Sequence, residues 1–245
     1  MKTRKNVLNI MLIGFAVLLT NCSNNANSVP GSLTLKASSF ASSQLSKAPS
    51  VLASDVTITS AVVKIQNLVI EENTGEGLQS NNENNNNNDG SDGIEGLKGE
   101  DGGDLTLSGP YVLDIFSGSA LIDNVSLHVG TYKKVDFSFV PGTGNTHSII
   151  IGGNYNKNGV AVPFTIIADL SSSIQLPLAG TGLTITSGTA SSISIVFDIN
   201  LWIKNLDFTT AVVKDNVITI SPTENKTIYD VFVSALSTNI DVEKE

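Results

Sequence analysis

From Ser192 to Lys204 the chain alternates between two sets of positions. Ile193, Ile195, Phe197, Ile199, Leu201 and Ile203 fall on one side, and Ser194, Val196, Asp198, Asn200, Trp202 and Lys204 on the other. A period of two predicts a strand with one buried face. Val135, Phe137 and Phe139 alternate with Lys134, Asp136 and Ser138 in the same way, and Val125, Leu127 and Val129 alternate with Ser126 and His128. Strand-forming runs also cover 32–36, 56–70, 111–115, 148–151, 160–169, 174–178, 183–186 and 212–220. Glycine-rich turn signals separate them at 117–118, 129–131, 141–144, 152–154, 179–182 and 187–188. Many short strands, each with one apolar face, predict an all-β fold, an antiparallel β-sandwich. Ile228, Val231, Phe232, Ala235 and Leu236 alone follow a helical spacing, so one short helix near the end is expected, although 229–233 also reads as a strand.

Two stretches lie outside this pattern. At the start, Lys2, Arg4 and Lys5 precede an apolar run over 7–19, the layout of a signal peptide with a hydrophobic region too short to span a bilayer stably. The run leads into Leu19-Thr20-Asn21-Cys22. This resembles the lipobox of bacterial lipoproteins, with Asn21 where Gly or Ala is usual, a relaxed form similar to that of spirochaetes. The resemblance implies lipidation of Cys22. Cys22 is the only cysteine, so the fold has no internal disulfide and no Cys-based metal pair. Buried acyl chains contribute ~0.8 kcal/mol per CH₂, and more than one chain is needed to hold a protein stably on a membrane. Residues 23–30 read as a tether, and Ser23 after the cysteine implies an outer-membrane destination under the enteric sorting rule.

The second exception runs from 71 to 104. It carries ten Asp and Glu against one Lys, a net −9, with an Asn tract over 81–88 interrupted by Glu83. Too few apolar residues occur to offset the entropy of ordering, so it reads as a disordered acidic insertion. Asp89, Asp92, Glu95, Asp101 and Asp104 are hard oxygen donors and weak candidates for Ca²⁺, but the EF-hand spacing is absent. Gly90, Gly93, Gly96, Gly99 and Gly102 keep a three-residue period, which without proline is too short for a collagen-like helix. The expected organisation is a signal peptide over 1–21, Cys22 and tether to residue 30, then one sandwich domain over 31–240 containing the 71–104 insertion.

Charge narrows the partners. Beyond residue 21 stand eleven Lys, no Arg and twenty-three acids, a net −12. A chain so acidic, without the bidentate guanidinium fork, excludes nucleic acid as a partner.

Three segments stand in order: 60–70 (SAVVKIQNLVI), 130–137 (GTYKKVDF) and 191–198 (SSISIVFD). Together they resemble a bacterial lipoprotein β-sandwich family of unassigned function. That family has an early strand, a Gly-Thr-Tyr turn entering a strand, and a late strand ending in Phe-Asp. The Asp-Ala-Pro of its first strand is missing here. The resemblance covers about residues 31–207, implies an Ig-like or transthyretin-like sandwich, and carries no catalytic residues.

Direct signs of chemistry are few. The two histidines are His128, on a polar strand face, and His147, in a Gly-rich loop. No nucleophile elbow, zinc-protease motif or P-loop occurs. Asp114, Asp123, Asp136, Asp169, Asp198 and Asp207 could supply a carboxylate pair, but no spacing selects two. Neither enzymatic activity nor a cofactor is expected. Trp202, the sole Trp, falls opposite the apolar stripe beside Asn200 and Asp198. Exposed there, it would suit a sugar ring or protein partner; the alternative is packing beneath a loop or the C-terminal segment. The sequence thus predicts an envelope lipoprotein, lipid-anchored in the outer membrane, serving as a binding or adhesion module for protein or glycan. The alternative is a structural lipoprotein without a small-molecule ligand.

Overall fold

In the computed structural model, residues 29–39, 55–73, 103–144 and 146–245 are described. The predicted signal peptide, Cys22 and most of the acidic stretch lie outside them. The fold is all-β, with thirteen strands among the described residues in two sheets and a short C-terminal helix. The smaller sheet holds β1 (Gly31–Ser38), β5 (Ala120–Leu127), β11 (Ala190–Phe197) and β13 (Ile240–Lys244), in the order β13-β11-β1-β5. The larger contains β2 (Val56–Glu72), β3 (Leu105–Leu107), β4 (Tyr111–Asp114), β6 (Gly130–Phe139), β7 (Ile149–Lys157) and β8 (Val160–Ala168). Short strands β9 (Ser173–Pro177), β10 (Leu183–Ile185) and β12 (Ile218–Ile220) complete it.

The alternation read from the sequence sets the two inner faces. Leu33, Leu35 and Ala37 of β1, Ile193, Ile195 and Phe197 of β11, and Val135, Phe137 and Phe139 of β6 are all buried. Most pairings are antiparallel. Two are parallel: β1 with β11, from Ser32 beside Ala190 to Ser38 beside Val196, and β8 with β12. The domain also runs past residue 240, because β13 pairs antiparallel with β11 and closes that edge.

β2 organises the larger sheet. Its first half pairs with β7 and its second half with β6. The exchange falls at Lys64, whose N–H donates to the Ser148 carbonyl while its own carbonyl accepts from Val140 N–H. β3 pairs with Leu68–Ile70, so β2 and β3 form a hairpin whose long loop is the acidic insertion. The flanks of the 71–104 stretch belong to the sheet. Glu71 and Glu72 belong to β2, and Asp104 Oδ1 accepts the Glu72 N–H at 2.9 Å. Deleting 74–102 therefore leaves the hairpin pairing intact, and loop length changes stability only slowly. The expected shift in Tm is under about 4 °C, roughly 1–2 kcal/mol for a domain this size. Calorimetry showing a loss beyond about 8 °C would mean that the segment packs.

The chain crosses between sheets at the β5–β6 corner. Val129 is exposed there, and His128 lies in the turn rather than on a strand face. Tyr132 is fully buried, and its hydroxyl donates to the His128 carbonyl four residues back at 3.1 Å. This is the tyrosine-corner arrangement of Greek-key sandwiches. Burial, then the charges of Glu72 and Asp104, push the Tyr132 pKa up from 10.0 to about 12. A raised tyrosine pKa stabilises the fold fully below pH 10, and that contribution disappears as pH rises from 10 to about 12. The expected loss is about 2–3 kcal/mol. Tyr132→Phe should flatten this alkaline slope in denaturant titrations, while costing about 1–3 kcal/mol at pH 7 by orphaning the carbonyl.

Candidate functional site

The predicted Trp202 surface is not formed. The strand ends at Phe197, and a one-turn helix, α1 (Ile199–Ile203), follows. Asp198 is its N-cap, with Oδ1 accepting the Leu201 N–H at 3.0 Å. The turn swings Ile199, Trp202 and Ile203 together into the core, and Trp202 is 0 % exposed. Its ring meets Phe197 edge-on at 5.9 Å and Phe232 at 6.2 Å, and Phe197 meets Phe137 at 5.9 Å. Phe232 belongs to α2 (Lys226–Leu236), the helix foreshadowed by the helical spacing. Trp202 thus joins the sandwich core to the C-terminal helix. Asn200 and Asp198 are half-buried in the cap and do not flank an exposed ring. Asp198 before Ile199, Trp202 and Ile203 is an N-cap signal that a two-residue period conceals.

The predicted calcium donors Asp89, Asp92, Glu95 and Asp101 lie outside the described residues. Asp104 is used as a cap on β2. Among the described residues no group of three or more His, Cys, Asp or Glu could hold a metal ion.

The six candidate carboxylates serve separate local purposes. Asp114 accepts the Phe116 N–H, Asp123 the Asn124 N–H, and Asp207 both the N–H and hydroxyl of Thr209. Asp136 sits with Lys134 at 3.0 Å, and Lys134 also reaches Glu71 at 2.7 Å. The hydrogen bond from Lys134 holds the Glu71 carboxyl below its usual range, and the same bond raises Lys134.

The one histidine–carboxylate pair among the described residues is His147 with Asp169, where Nδ1 stands 3.0 Å from Oδ2. Gly142 makes the approach possible, since a Cβ there would collide with Asp169 Oδ1 and the Thr146 carbonyl. Tyr229 of α2 is near enough that Asp169, after burial, raises its hydroxyl pKa. A His–Asp pair can orient a base beside a nucleophile. The adjacent hydroxyl is unsuited to that role. Ser148 is fully buried, donates to the Val140 and Leu170 carbonyls and accepts the Leu170 N–H. Its task is to close the strand junction at Lys64.

Exposed apolar side chains stand instead on either side of the β4–β5 connection, Val112 on β4 and Leu121 on β5 in different sheets, with Phe116 between them in sequence. No helix among the described residues is long and apolar enough to cross a membrane. Comparison with protein-family models, curated proteins and solved structures found no match for the chain.

Proposed function

We propose that the chain is a lipoprotein of the outer membrane, anchored through Cys22, with a structural role in the cell envelope. The observation that carries this reading is the placement of β1. It begins nine residues after Cys22 and is hydrogen-bonded on both sides, to β11 and to β5. A pull on the tether acts along β1 and loads both ladders in shear, so that many hydrogen bonds resist together. An edge strand with a single partner would peel more easily. Cys22→Ser should abolish palmitate incorporation and release the protein from the membrane fraction. Unchanged labelling and fractionation would refute the reading.

A second reading, a binding or adhesion module for protein or glycan, keeps one specific support. Val112, Phe116 and Leu121 are exposed within ten residues of sequence about the β4–β5 connection, and exposed apolar side chains contribute to interaction surfaces. Delipidated protein on a glycan and extracellular-matrix array tests this directly. Replacing Phe116 and Leu121 by Ser should weaken any captured ligand at least about ten-fold, equivalent to 1.4 kcal/mol. An unchanged signal would remove that surface from consideration.

A further inference from the structure

We infer that the sandwich stands end-on to the lipid surface, with the end that holds Gly31, Val129 and Thr186–Thr189 against the headgroups. The inference rests on the lipoprotein reading and adds an orientation to it.

The strand register defines this end. Gly31 pairs with Leu127 as the last pair of the β1–β5 ladder, so Val29 and Val129 both lie just past this end. Ser32 N–H donates to the Thr189 carbonyl, placing the β10–β11 turn alongside. Ile185 pairs with Gly130, and a Cβ on Gly130 would meet the Glu72 carboxylate. Glu72 pairs with Tyr132, and Asn73 N–H donates to the Thr131 carbonyl. The tether, the β5–β6 corner, the β10–β11 turn and both ends of the acidic insertion therefore share one end of the molecule.

The opposite end is equally well fixed. Val56, the first residue of β2, pairs with Tyr155, and β7 and β8 run on to a tight turn at Asn158-Gly159. The seventeen residues of β2 can separate the two ends by at most about 55 Å. The nine residues from Cys22 to Gly31 reach at most about 30 Å. The acylated cysteine thus holds the Gly31 end within its own reach of the bilayer, and the β7–β8 turn extends away.

The near end also has the chemistry of an interfacial contact. Val29 is 62 % exposed and Val129 is 41 % exposed, each two residues beyond the last β1–β5 pair. Apolar side chains beside an acyl anchor gain from partition into the headgroup boundary. Asn73 and Gly103, the described residues that flank the acidic segment, lie at this same end.

The test uses full-length acylated protein. Acylation blocks Cys22, the only native thiol, so an introduced cysteine is unique. Val129→Cys and Ser187→Cys report the near end, and Val160→Cys, at a position 64 % exposed, reports the far turn. Each is labelled with bimane and reconstituted into phosphatidylcholine–phosphatidylethanolamine vesicles carrying a nitroxide-headgroup lipid. Labels at 129 and 187 should lose at least about half their emission, while the label at 160 should stay within about a tenth of its quencher-free value. Equal quenching at all three sites, or stronger quenching at 160, would overturn the orientation. Failure of the protein to float with vesicles would refute the anchor instead, so the two failures are distinguishable. Two near-end sites guard against one label that disturbs the corner.

Discussion

Trp202→Ala should lower the unfolding free energy by about 3–5 kcal/mol and Tm by about 6–20 °C. The ring is fully buried between Phe197 and Phe232, so truncation opens a cavity where the sandwich meets α2. Trp202→Phe should cost less, under about 2 kcal/mol. It keeps an aromatic ring in the gap and removes an indole N–H that is buried without a hydrogen-bond partner. Denaturant melts of the two variants measure both numbers. In the native protein this single indole should emit in the blue and resist acrylamide quenching. A Trp202→Ala variant that melts with the parent would contradict the packing described.

Gly153→Val should rank second, at about 2–3 kcal/mol or more. A Cβ at Gly153 would collide with the Thr57 carbonyl oxygen of the neighbouring strand and with the Phe164 ring. Backbone cannot retreat as a side-chain tip can. Phe164 is itself held, 4.9 Å from Phe208, which stacks on Tyr155 at 5.4 Å. Gly152→Ala is the control, because a Cβ there meets mainly the Ser60 hydroxyl, a group able to rotate away. Equal melting of the two variants would show that Phe164 is loosely seated.

Much of this architecture was legible in the sequence, because a sheet with one buried face imposes its period on the chain. Val135, Phe137 and Phe139 point into the core as their alternation requires, and Ile228, Phe232 and Leu236 form the buried stripe of α2. The failures have physical causes. The stretch 199–203 satisfies both periods, since Ile199, Trp202 and Ile203 also stand at helical spacing; Asp198 as a cap decides between them. The run over 212–220 contains a tight turn, with Asp215 and Asn216 both in the left-handed region, so only Ile218–Ile220 remains strand. Asn225 then ties Val212 to β12 through its side chain, bonding the Val212 N–H and carbonyl and the Thr219 carbonyl. Strand β13 is not legible in the sequence because Ile240 and Val242 give only two apolar positions, too few to announce a period. The His147–Asp169 pair could not be foreseen either. Twenty-two residues separate its members, and only the β7–β8 hairpin and the Gly142 loop bring them together.

The anchor reading joins the Leu19-Thr20-Asn21-Cys22 motif to a strand buried between two partners, and the identity of the mature N-terminal residue tests it most directly. Protein extracted from membranes of cells expressing the full chain should yield an N-terminal tryptic peptide beginning at Cys22. That peptide should carry a thioether-linked diacylglyceryl group by mass spectrometry. An N-terminal peptide beginning at any other residue, or beginning at Cys22 with a free thiol, would contradict the account.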